Sequence, residues 1–214
     1  MISLVITNMR NQDIIGLHTQ FFRDLGFELD NELMMFQKPF PLGFQMIFVQ
    51  FTEHENHATL EYNLGIRIHE VEELIHQFLP TLSGFSERSI TLVQTLDKIG
   101  KILPKQFIIN NDYELAKAIE TAEKFLITDG LNWLDKMEDP LNLEIAFYER
   151  KAKTFKTSNF VYNAFRATAL SKLYNPADYP YLRQIFLEAI EEKELTPFTI
   201  ASYLKFLNYL DNLD

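Results

Sequence analysis

Two histidines three residues apart, with glutamates beside them, form the strongest chemical pattern in the chain. His54 and His57 lie in FTEHENHATLEY, residues 51–62, next to Glu53 and Glu55. A metal needs three or four convergent ligands steadied by further hydrogen bonds. A loop tip offering two imidazoles and a carboxylate falls short of that. The apolar–polar alternation on both sides pairs naturally as a hairpin, with its polar tip at residues 53–57. The hairpin is therefore the expected structure here, and no metal is assigned.

A second pair, His69 and His76 in HEVEELIH, is seven residues apart with Glu72 and Glu73 between. The zincin pattern needs histidines four apart on one helix face. Seven residues span about 10 Å along a helix axis, too far for two rings to share one ion. Nucleophilic catalysis has no G-x-S-x-G signature to support it. Gly84 and Gly100 are isolated, without a phosphate-binding loop or a dinucleotide fingerprint. Glu53, Glu55 and Glu61 are read as a solvated face. The cluster Arg150, Lys151, Lys153 and Lys156 reads as a solvated linker, and the nearby Tyr148, Phe155, Phe160 and Tyr162 as either an exposed patch or helical core. No catalytic residue, cofactor or metal ligand is assigned, and no enzyme is expected.

Composition narrows the classes further. Cysteine is absent from the 214 residues, which removes disulfides, thiolate metal sites and thiol catalysis. The net charge is −10; residues 1–100 hold six Lys and Arg against 13 Asp and Glu, while residues 101–214 hold 14 against 17. An acidic surface repels phosphates, which argues against nucleic acid and suits a basic partner. The N-terminal MISLVITNMRNQD lacks the basic start and cleavage site of a signal peptide. No apolar run reaches membrane-spanning length. A cytoplasmic location is expected, with no membrane partner.

The elements follow from periodicity. Ile14, Leu17, Phe21, Phe22 and Leu25 predict a helix that ends at Gly26. The stretches ELMMFQK and FQMIFVQFT read as strands. HATLEYNLGIRI is the clearest strand, with Ala58, Leu60, Tyr62, Leu64, Ile66 and Ile68 on one face and Thr59, Glu61, Asn63, Gly65 and Arg67 on a wet one. A helix follows, with Val71, Leu74, Ile75, Phe78 and Leu79 inward and Pro80 as its stop. SITLVQTL and QFIIN read as a fourth and fifth strand. From Asp112 onward the pattern is helical: one helix stops at Asp129-Gly130, a short LNWLDKM turn follows, one helix opens on Asp139-Pro140, one ends before Asn175-Pro176, and the last starts on Thr196-Pro197.

Segregated strands and helices give an α+β class: an N-terminal helix, an antiparallel β-meander with packed helices, then a C-terminal helical bundle. The expected division is residues 1–110, carrying the sheet, and 111–214, helical, either separate or packed as one unit. A further seam is placed at 151–158. No internal repeat is present.

Three stretches, FFRDLGFELDNELMMFQKP, HATLEYNLGIRI and FIINNDYELAKAIETAEKFLITDGLNWLDKMED, together resemble the family known as domain of unknown function 4304, over roughly residues 10–150. The shared features are a helix with an "lGF" turn, a long strand centred on "NLGI", and a short strand leading into a long helix. Glu28, Asp30 and Glu32 stand where that family's pattern has basic residues. The resemblance implies no activity and no site residue.

Two functions fit. The first is a non-enzymatic protein-binding domain, such as an immunity-type protein that masks a basic partner. The alternative is a small-ligand-binding protein or hydrolase-like enzyme with a pocket between sheet and helices. His54, His57, Glu61, Tyr62 and His69 are the residues to inspect for that second function.

Overall fold

The computed structural model describes residues 11–79, 85–100, 102–149, 160–193 and 195–213. The seam at 151–158, the basic cluster from Arg150 to Lys156, Phe155, Pro80 and Gly84 lie outside these residues, as does the side chain of Tyr148. The fold is α+β, as expected. Its described residues form two compact units, Met1–Arg67 with Leu92–Lys136, and Ile68–Thr91 with Met137–Asp214. These differ from the expected spans 1–110 and 111–214. Helix Asp112–Phe125 clusters with the sheet, and helix His69–His76 with the C-terminal helices. Sequence order suggested a single cut, whereas packing interleaves the segments.

The first unit opens with α1 (Asn11–Asp24). Gly26 ends it at φ 85°, and Phe27 N donates to Phe22 O at 2.9 Å, closing the helix with a left-handed glycine. Strands β1 (Glu28–Asp30), β2 (Met35–Phe40), β3 (Gly43–Glu53) and β4 (Ala58–Ile68) follow as an antiparallel meander. Strand β1 was not foreseen. Asp30 Oδ1 accepts from Glu32 N and Leu33 N at 2.9 and 3.0 Å, folding the turn in which Met34 takes φ 52°. This turn occupies the start of the expected ELMMFQK strand.

The far edge of β4 is shared. Ala58–Leu60 pairs with β6 (Phe107–Ile109), and Asn63–Ile66 with β5 (Leu92–Thr95). Leu60, Tyr62, Leu64 and Ile66 are all buried, as the alternation predicts. The opposite face is drier than expected, because Thr59, Gly65 and Arg67 are buried too, while Glu61 and Asn63 stay half-exposed.

Helix α1 presents a different stripe from the expected one. Ile14, Ile15, His18 and Phe22 are buried, while Leu17 is 55% exposed. Phe22 packs against Phe36 at 4.5 Å between ring centroids. The expected stop at Asp129-Gly130 is also absent. After the short α4 (Leu96–Ile99) and α5 (Asp112–Phe125) the chain continues through a π-helical stretch, Leu126–Gly130, into α6 (Leu131–Met137). A Cβ at Gly130 would lie 3.3 Å from Leu64 Cδ2 and 3.0 Å from Leu126 Cδ2, so glycine there permits a close approach to β4.

The second unit contains α2 (His69–His76), the short α3 (Phe85–Arg88), α7 (Pro140–Glu149), α8 (Phe160–Tyr174), α9 (Tyr179–Glu192) and α10 (Pro197–Asp211). Both proline starts are as expected: Leu141 N donates to Asp139 Oδ1 at 3.0 Å, and Thr199 N to Thr196 Oγ1 at 3.3 Å. Helix α8 is buried on nearly every side, from Ala164 to Ser171, and is the central helix of this unit. Its Phe165 stacks on Phe206 of α10 at 4.7 Å. Thr168 Oγ1 donates to Ala164 O and sits 2.7 Å from the Tyr203 hydroxyl, which therefore donates to it. Among the described residues, no helix is long and apolar enough to cross a membrane.

Leu64→Ala should lower stability by roughly 2–5 kcal/mol, the usual cost of emptying a buried leucine site. Glu61→Ala should change it by about 0.5 kcal/mol or less. Paired urea melts measure both, and a larger effect at Glu61 would reverse the assignment of faces.

Candidate functional site

The sequence candidates do not converge. His54 and His57 sit at the β3–β4 hairpin tip, closed by His54 N donating to His57 O at 2.8 Å. Their rings stack 4.7 Å apart at 24°, and His54 Nε2 is 3.3 Å from Thr59 Oγ1. Stacked rings lie one over the other rather than aiming their nitrogens at one point. Among the described residues, no three His, Asp or Glu side chains form a group able to hold a metal. Glu61 and Tyr62 point to opposite faces of β4, with Glu61 accepting from Asn63 Nδ2 at 3.0 Å. His69 is exposed at the start of α2.

Tyr62 instead belongs to a junction that the sequence reading missed. Its hydroxyl is 3.0 Å from His18 Nε2, and His18 Nδ1 is 3.2 Å from Glu123 Oε1. The junction joins β4, α1 and α5. His18 and Tyr62 are 0% and 1% exposed, and the Glu123 side chain is 26% exposed. Burial pushes the His18 pKa down to about 4, so the ring is neutral. An ionised Glu123 can only accept, so Nδ1 carries the proton and donates to it. Nε2 is then the acceptor for the Tyr62 hydroxyl. Burial, with the Glu123 charge adding to it, raises the Tyr62 pKa; burial raises that of Glu123. A visible signal was the spacing Ile14-x3-His18-x3-Phe22, which puts an imidazole in line with two core residues.

A second buried cluster lies within the other unit. Glu72 on α2 is fully buried, and Arg166 on α8 grips it with two bonds of 2.7 and 2.8 Å. Burial alone would raise the Glu72 pKa. The nearby His76 ring, Arg166 and Ser89 more than offset this and hold it at about 2. His76 Nε2 is 3.7 Å from Glu72 Oε2, beyond hydrogen bonding, and neither ring nitrogen has a hydrogen-bond partner among the described residues. Phe85 and Tyr162 flank this ring at centroid distances of 6.2 and 6.1 Å. Phe160, from the uncertain aromatic set, is core.

One groove with apolar walls, of about 400 Å³, lies in the first unit. Pro104, Phe107 and Ile108 form one wall, and Lys117, Ala118 and Thr121 of α5 the other. Ile108 is 60% exposed. The groove was not among the sequence candidates, because its residues are individually ordinary.

No family model, curated protein or solved structure matches this chain, so no residue role is carried over from a relative.

Two predictions follow from the buried clusters. Between pH 6.5 and about 4 the unfolded chain binds a proton that His18 refuses when folded. Stability should therefore fall as pH drops through that window, by at most about 3 kcal/mol. The raised pKa of Glu123 acts in the opposite sense and offsets part of this. Urea melts across the window should show a shallower pH slope for His18→Gln than for the wild type; equal slopes would contradict the buried neutral ring. In the second unit, Arg166→Ala leaves Glu72 buried without its partner and should cost roughly 3–5 kcal/mol. Glu72→Gln combined with Arg166→Met should recover part of that loss in the same melt, because no unpaired charge remains.

Proposed function

We propose that this chain is a non-catalytic, cytoplasmic protein-binding domain that masks a basic partner, in the manner of an immunity protein. One observation carries the reading. Within residues 102–113, Ile102 is 98% exposed, Ile108 60% and Tyr113 76%. Single exposed apolar residues are ordinary. Here, Ile108 lines an apolar groove, on a chain of net charge −10 that would steer a basic surface toward it.

The alternative, a ligand-binding protein or hydrolase-like enzyme, has the Glu123–His18–Tyr62 chain in its favour. A phenol that is 1% exposed is poorly placed to meet a substrate, so the binding reading is preferred.

Capture from a lysate of the native host, at low and at high salt, tests the proposal. A basic protein retained at low salt and released more readily at high salt is the expected result. If the only proteins retained are insensitive to salt and carry no basic surface, the reading fails.

A further inference from the structure

We draw no further inference here: the strongest candidate, the buried His76 ring on α2 whose two nitrogens have no hydrogen-bond partner among the described residues, belongs to the Glu72–Arg166 cluster already described, and nothing in the structure shows what those nitrogens would bind.

Discussion

A buried imidazole that must stay neutral ties together three elements of the sheet-bearing unit, α1, β4 and α5. His18 has no exposed surface, so its two nitrogens must both be satisfied from within. Tyr62 of β4 serves one, and Glu123 of α5 the other. Each partner fixes a different element, so the rotation of α1 about its axis is set by a hydrogen-bond requirement as well as by apolar packing. Ile15 and Phe22 go inward with His18, and Leu17 is left in solvent. The satisfied network costs little; removing one member would leave a buried polar atom without a partner.

With α5 anchored at Glu123, its other flank is available as the wall of the groove beside β6. The chain then holds close to β4 through the π-helical stretch, where glycine at position 130 admits the Leu64 side chain. The second unit solves a comparable problem with charge. Glu72 is held ionised in its core by a two-pronged arginine, with His76 and Ser89 close by. Both units thus bury polar groups where their elements meet.

The legible parts of this fold were those set by local chemistry. Strict alternation marked β4, proline after Asp139 and Thr196 marked two helix starts, and Gly26 marked the end of α1. Features set by distant residues were not legible. The alignment of His18 with Ile14 and Phe22 places it on the inner stripe, but its partners Tyr62 and Glu123, 44 and 105 residues away, leave no trace in the helix itself. Glu72 reads as a surface glutamate until Arg166 arrives. Gly130 looks like a terminator because glycine usually is one; only the approach of Leu64 explains why the helix runs through it. The hairpin at His54–His57 was correctly placed, whereas the groove, built from ordinary residues on a strand and a helix, carries no signature in either segment alone.

Nitrogen-15 spectra of the histidine side chains test the central junction most directly. The account predicts that at neutral pH the His18 ring is neutral, carries its proton on Nδ1 and does not begin to titrate until well below pH 6.5. A His18 ring protonated on Nε2 instead, or titrating near 6.5 as a solvated histidine does, would contradict the arrangement on which the packing of α1, β4 and α5 rests.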